Sequence, residues 1–156
     1  MPSATPTRVR IPSIGVDAPL TALTLDADRQ LSAPEESDAN LAGWFRDGTP
    51  PGADGTAIIA GHVDNDRGPA VFYNLGALKS GNRIEVDRQD GRTAVFTIDT
   101  VEAFSADDFP SRKVYGPGVG AELRVITCGA GFDKAKHRYR GNVVAFAHLT
   151  DGRRMS

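Results

Sequence analysis

Residues 122–129, ELRVITCG, form the stretch on which the fold and the chemistry of this chain depend. Val125, Ile126 and Thr127 are β-branched and favour a strand, and the glycine at 129 ends it. Cys128 is therefore predicted at the end of a strand, held by a sheet on one side. Because it is the only cysteine in the sequence, no disulfide within the chain can occupy it. Two interpretations follow: a small buried hydrophobic residue, or a reactive thiol.

Composition excludes several classes of function. With 156 residues, 40% of them hydrophobic and 24% charged, the chain is long enough for one domain with a substantial core. A net charge of −2 gives no basic excess, so we expect no nucleic-acid partner. No apolar run approaches the ~18 residues of a membrane span, which predicts a soluble chain. We expect a flexible N-terminal linker over 1–7, one domain over 8–150 and a C-terminal tail over 151–156.

Short alternating segments separated by turns indicate a mainly β chain. Alternation of polar and apolar residues predicts strands over 8–11, 83–86, 93–103 and 142–149, with Asp90-Gly91 as a hairpin turn. Residues 71–78 have helical spacing, and 105–120 is expected to be a long loop. Because such short connections exclude crossover helices, we predict one closed or nearly closed barrel of about eight strands with one or two short helices.

Three reactive side chains stand near predicted strand ends. His62 directly follows the apolar run 56–60, Cys128 ends its strand, and Arg140 precedes the last strand. A cysteine nucleophile needs a group that moves protons and a group that stabilises an oxyanion. Imidazole supplies the first and guanidinium the second. The residue types fit nucleophilic catalysis, although the sequence does not show that they meet.

Three segments resemble the signature segments of sortases: AGH at 60–62, VITCG at 125–129 and YRGNVVAFA at 139–147. RIPSIGVDAP at 10–19 is similar to the opening strand of these domains. The Thr-Cys pair before a glycine and the Asn-Val-Val strand are most similar to class F sortases of high-GC Gram-positive bacteria, with class E next. The resemblance implies an eight-stranded sortase-like β-barrel over 8–150 that is a cysteine transpeptidase.

The resemblance also implies a role for each reactive residue. Cys128 would attack the carbonyl between Thr and Gly of an LPXTG-like sorting signal and form a thioacyl enzyme. His62 would protonate the departing amine and later take a proton from the incoming one. Arg140 would hold the oxyanion or the backbone of the signal, while Thr127 and Asn142 would contribute to the substrate groove.

The arginine assignment has open alternatives. Aligning Ala147 with the end of the last strand in the family brings Asn142 closest to the register of the arginine. Arg138, Arg140 and Asn142 are spaced two residues apart, so they share one face of an extended segment. We prefer Arg140 to Asn142 because only a guanidinium carries the permanent charge.

No cofactor or metal is expected. DNDRG at 64–68 resembles a calcium loop but lacks the downstream bidentate glutamate. The partners implied by the resemblance are sorting signals of secreted proteins and the amine of a cell-wall precursor of the lipid II type. The protein would act as a monomer on the extracellular face of the plasma membrane. The anchor that this location needs is not in the sequence, which we expect to begin after it.

Two other functions stay open. One is a barrel that binds a peptide in its groove without turnover, which the presence of Cys, His and Arg together disfavours. The other is a cysteine hydrolase that releases the acyl group to water. Transfer and hydrolysis differ only in which nucleophile reaches the thioester, so the sequence does not separate them.

Overall fold

The computed structural model describes residues 1–27, 31–35, 37–65, 67–105, 110–116, 118, 120–128, 132–133, 138–139 and 141–155. The strands are β1 (Pro6–Ile11), β2 (Val16–Leu23), β3 (Ala42–Phe45), β4 (Gly55–His62), β5 (Asp64–Asn65), β6 (Gly68–Pro69), β7 (Arg83–Arg88), β8 (Arg92–Ser105), β9 (Ala121–Cys128), β10 (Phe132–Asp133), β11 (Arg138–Tyr139) and β12 (Gly141–Arg154). Helix α1 spans Ser111–Tyr115, and 3₁₀ helices span Pro12–Ile14 and Leu75–Ala77.

Eight strands close into a barrel in the order β1-β2-β3-β4-β9-β12-β8-β7. Most neighbours are antiparallel, but β2 pairs with β3 in parallel, and β4 with β9. Pro19, opposite Arg8, is the last residue of β2 that pairs with β1, since proline has no N–H to donate to the ladder. From Leu20 onward β2 follows β3 instead. The predicted mainly β, eight-stranded barrel is confirmed.

The hairpin between β7 and β8 turns at the predicted dipeptide. Gly91 has a φ of 75°, in the left-handed region that favours glycine. Its N–H donates to the carbonyl of Arg88 at 3.2 Å and closes the turn. The pairing of Arg83 with Thr97 through Asp87 with Thr93 then fixes the register of the two strands.

Alternate residues of the barrel strands point inward and form the main core. Trp44 is 8% exposed and belongs to this core. On the strands around the candidate site the inward residues are Ala57 and Ile59 of β4, Leu123 and Val125 of β9, and Ala145 and Ala147 of β12.

A second apolar cluster, here called the outer cluster, lies on the outside of the same strands. Its buried members are Ile58, Ile126, Val144 and Phe146, covered by Val114 of α1. Partly buried Leu31, Phe45 and Phe104 pack against it. Strands β4 and β12 therefore have apolar residues on both faces, and their sequences contain nearly continuous apolar runs. Strand β9 also carries Glu122 and Arg124 on its outer face.

Two segments have a different secondary structure from the one predicted. Residues 71–78 form turns and the 3₁₀ helix Leu75–Ala77 rather than a longer helix, although Phe72, Leu75 and Leu78 are buried as the spacing indicates. The predicted loop over 105–120 contains α1, whose Val114 is fully buried. A short helix with one buried residue shows no periodicity that a sequence pattern could reveal.

The strands extend further toward both termini than the alternation predicts. Strand β1 begins at Pro6, and the amino group of Met1 donates to the carbonyl of Gly52 at 2.9 Å. Strand β12 continues to Arg154, opposite Arg92 of β8. The division into linker, domain and tail stays a prediction. No described helix is long and apolar enough to cross a membrane.

Candidate active site

Strand pairing brings positions 62 and 128 side by side. Strands β4 and β9 run in parallel from the pair Gly55 and Ala121 to the pair His62 and Cys128, where both strands end. Neighbouring strands lie about 4.8 Å apart, so the backbones of His62 and Cys128 are direct neighbours. Two of the three predicted reactive residues therefore meet at one end of the barrel.

Close packing at Gly61 and a hydrogen bond to Phe72 position the backbone of His62. A Cβ at Gly61 would lie 2.7 Å from the ring of Phe72, so the inward position before His62 has no room for a side chain. The N–H of Phe72 donates to the carbonyl of His62 at 3.0 Å. The backbone of His62 is thus held by β9 on one side and by the segment after β6 on the other.

His62 lies on the outer face of the barrel. Ile58 of the same strand belongs to the outer cluster, and side chains alternate along a strand, so position 62 falls on the same face. The residue is nevertheless 7% exposed. The carbonyl oxygen of Pro34, itself a buried residue, lies 2.7 Å from Nε2 of the imidazole. Residues 31–35, here called the 31–35 segment, therefore cover the ring.

Thr127 and Asn142 join the end of β9 to the start of β12. The Thr127 hydroxyl accepts from the N–H of Val143 at 2.8 Å, and the residue is 1% exposed. Asn142 donates from Nδ2 to the carbonyl of Thr127 at 2.5 Å. Both residues form hydrogen bonds that join the end of β9 to β12. That either residue contacts a substrate stays a prediction.

The predicted arginine and one histidine lie outside the described residues. These are Arg140 and His137, while the backbone of Arg138 pairs with Asp133 between β11 and β10. Nδ1 of His148 lies 2.7 Å from Oδ1 of Asp99, and His148 is exposed on the last barrel strand, β12.

Two cations on the outer face were not found from the sequence. The guanidinium of Arg124 lies 4.8 Å from the ring centre of Phe146, and it donates to Glu122 at 2.8 Å. The ammonium of Lys113 on α1 lies 5.4 Å from the same ring and pairs with Glu102. Arg124 could have been found, because it stands four residues before Cys128 on a strand of period two. Lys113 lies in the stretch predicted as a loop.

The stretch that resembles a calcium loop forms a small ladder, in which Asp64 pairs with Pro69 and Asn65 with Gly68. Within the described parts of the chain, no three His, Cys, Asp or Glu residues are close enough to hold a metal ion. The candidate site is therefore described by its histidine, its cysteine position and the apolar outer face.

Comparison with known proteins gives a consistent result. A family model described as Sortase domain matches residues 9–150. Sortase A of Listeria monocytogenes has a similar structure, with a TM-score of 0.72, 15% identity, and coverage of 99% of this chain and 92% of that one. The sortase D5 transpeptidase of Clostridium perfringens gives a TM-score of 0.66 at 19% identity, covering 94% and 79%. Sortase C-1 of Actinomyces oris gives 0.68 at 17% identity, covering 93% and 73%. A sequence search of curated proteins gives no match.

Proposed function

Because the chain belongs to the sortase family, whose members are cysteine transpeptidases, we propose that it cleaves an LPXTG-like sorting signal between Thr and Gly and transfers the acyl part to an amine. The observation that carries this proposal is the pairing of His62 with Cys128 at the common end of β4 and β9. A proton-transfer group and a nucleophile on neighbouring backbones form the minimal unit for acyl transfer.

The proposed reaction has two halves that balance. The Cys128 sulfur attacks the threonine carbonyl carbon, the C–N bond to glycine breaks, and a thioester remains on the enzyme. The departing amine takes a proton from His62. An incoming amine then attacks the thioester and gives a proton to His62, so a new amide forms and the sulfur leaves as the thiolate that began the first half. Each half passes through a tetrahedral oxyanion, and Arg140 is the residue that would stabilise it.

The position of the outer cluster bears on where the apolar part of the signal would bind. Ile58 and Ile126 lie on the strands that end at His62 and Cys128, and both belong to the outer cluster. Alternation along the backbone of β9 puts position 128 on the same face as Ile126. Because both isoleucines are buried within that cluster, the leucine and proline of an LPXTG-like signal would bind beside the cluster and not on these two side chains.

Thr127 and Asn142 would support the reaction by fixing the backbone next to Cys128. The Asn142 amide holds the carbonyl of Thr127, and the Thr127 hydroxyl holds the backbone of Val143. These contacts fix the position of the backbone just before Cys128, from which the nucleophile extends. A contact with the signal itself would come from the part of Asn142 that faces the groove.

The finer assignments rest on the sequence motifs. The Thr-Cys-Gly run and the Asn-Val-Val strand favour class F over class E. The substrates are then sorting signals of secreted proteins and the amine of a lipid II type precursor. Such substrates meet on the extracellular face of the plasma membrane, where a monomeric enzyme would act.

A cleavage assay with an acceptor amine tests the proposal. A fluorogenic LPXTG-type peptide should be cleaved by the wild-type chain, and added triglycine should give the ligated peptide as a new product. Cys128→Ala, with an unchanged circular dichroism spectrum, should form neither product. Cleavage without ligation would favour the cysteine hydrolase, and binding without cleavage would favour the non-catalytic barrel.

A further inference from the structure

The contact between Pro34 and His62 has consequences for where the proton of the imidazole sits. Nε2 of His62 lies 2.7 Å from the Pro34 carbonyl oxygen, and both residues are buried. We propose that Pro34 is a positioning residue whose carbonyl keeps a proton on Nε2, so that Nδ1 is the nitrogen that exchanges protons with the reacting amine. The second clause rests on the proposed function; the first does not.

The hydrogen-bonding groups allow one direction for this contact. A carbonyl oxygen only accepts, so Nε2 must carry the hydrogen. Without it, two lone pairs would face each other at 2.7 Å, and a buried acceptor would lose its donor. The neutral Nε2–H tautomer should therefore outweigh the Nδ1–H tautomer by about tenfold or more. Imidazolium also donates from Nε2, so the contact survives both charge states.

The 31–35 segment is anchored well enough to hold the carbonyl in place. Leu31 packs against the outer cluster and forms a β-bridge with Leu25. The N–H of Ser32 donates to the carbonyl of Thr24 at 2.9 Å, and the Thr24 N–H donates to the Ser32 hydroxyl at 3.3 Å. The ring of Pro34 also restricts its own φ.

With Nε2–H bound to Pro34, the imidazole ring has the same orientation in both halves of the reaction. In the first half, imidazolium gives the Nδ1 proton to the departing amine and becomes the Nε2–H tautomer. In the second half, Nδ1 takes a proton from the incoming amine. Because Nε2–H stays on Pro34 throughout, the ring need not rotate between the halves, which avoids a reorganisation cost.

Nitrogen NMR of the ¹⁵N-labelled full chain tests the proposal. Long-range ¹H–¹⁵N correlations distinguish a protonated ring nitrogen from an unprotonated one, and His62→Ala identifies the His62 signals. At a pH where the ring is neutral, wild type should show a protonated Nε2 and an unprotonated Nδ1. A proton on Nδ1 would overturn the proposal without any variant of Pro34.

Pro34→Gly removes the ring that fixes φ beside the carbonyl, and Ala39→Gly adds backbone freedom, to a smaller extent, at an exposed residue five positions away. Pro34→Gly should mix the two tautomers, speed exchange of the Nε2 proton and lower kcat about tenfold with little change in KM. Ala39→Gly should change none of these.

Three outcomes would overturn the positioning role. They are unchanged tautomers in Pro34→Gly, equal changes in Ala39→Gly, and a rise in kcat/KM in Pro34→Gly, which would make the 31–35 segment a cover that hinders the substrate. A chain that shows the Nε2–H tautomer but cleaves no peptide would retain the Pro34 contact and contradict the proposed function instead.

Discussion

Buried polar groups at two regions of the barrel have different partners. Between β1 and β7, the buried Asp87 carboxylate accepts from Arg10 at 2.8 Å and from the Thr93 hydroxyl at 2.8 Å. At the end of β4, buried His62 donates to a neutral backbone carbonyl. An opposite charge holds the Asp87 carboxylate, whereas a carbonyl oxygen accepts a hydrogen bond from neutral imidazole and from imidazolium alike. We therefore expect a change in the first region to alter stability and a change at His62 to alter the proposed reaction.

The hairpin beside the first region follows the same rule. Arg88 is fully buried and donates to the carbonyls of Pro51 at 3.2 Å and Pro2 at 2.6 Å, as well as to Asp90. The hydrogen bond from Arg88 holds the pKa of Asp90 below its ordinary value of 3.8. The hydrogen bond and the charge of Arg88 thus favour the ionised carboxylate of Asp90.

After the complete loss expected for Cys128→Ala, the largest effect of a single change is expected at His62. His62→Ala removes the proposed proton donor and acceptor and should lower kcat by about 10²–10⁴-fold, measured with the fluorogenic peptide. The fold should persist, since no charged partner is left behind. His148→Ala is the matched control, because it removes an imidazole from an exposed ion pair with Asp99. If His148→Ala proved the damaging change, the histidine assignment would be wrong.

The next effect concerns the arginine. If Arg140 stabilises the oxyanion, Arg140→Lys and Arg140→Ala should both lower kcat by about 10²–10³-fold, because a flexible ammonium does not replace the planar guanidinium. Asn142→Ala and Arg138→Ala should cost less. Steady-state kinetics with the same peptide measures all four. A large loss in Asn142→Ala or Arg138→Ala with an active Arg140→Ala would move the assignment to that neighbour.

The smallest expected effect on activity, with a clear effect on stability, lies at Asp87. Asp87→Ala removes the acceptor of Arg10 and Thr93 and should lower the free energy of unfolding by about 3 kcal/mol. Asp17→Ala breaks the exposed pair between Arg8 and Asp17 and should cost under about 1 kcal/mol. Urea unfolding gives both values, and kcat per folded molecule should stay unchanged. Equal losses in the two variants would remove the distinction between the regions.

Sequence patterns predicted more of the fold than of the candidate active site. The apolar run 56–60 and the β-branched residues 125–127 predict two strands, but they do not show that these strands pair in parallel with His62 beside Cys128. The predicted end of β12 failed because the register shifts between Leu149 and Asp151, which interrupts the alternation although pairing continues to Arg154.

The role of Pro34 lies beyond any residue pattern. Its contact with His62 uses a backbone carbonyl, which every residue has, so the residue type carries no signal. The two residues are also 28 positions apart, and the contact exists only because Leu31 anchors the segment on the outer cluster. Long-range packing decides such contacts, and only a three-dimensional structure reveals them.

Intact-mass spectrometry of the protein, acid-quenched after incubation with an LPXTG-type peptide and no acceptor amine, tests most directly whether Cys128 is the nucleophile. Wild type should gain the mass of the fragment that ends at threonine, less one water, and hydroxylamine should remove it. Cys128→Ala should gain nothing. An adduct on Cys128→Ala, or cleavage by that variant at the wild-type rate, would contradict the thioacyl mechanism.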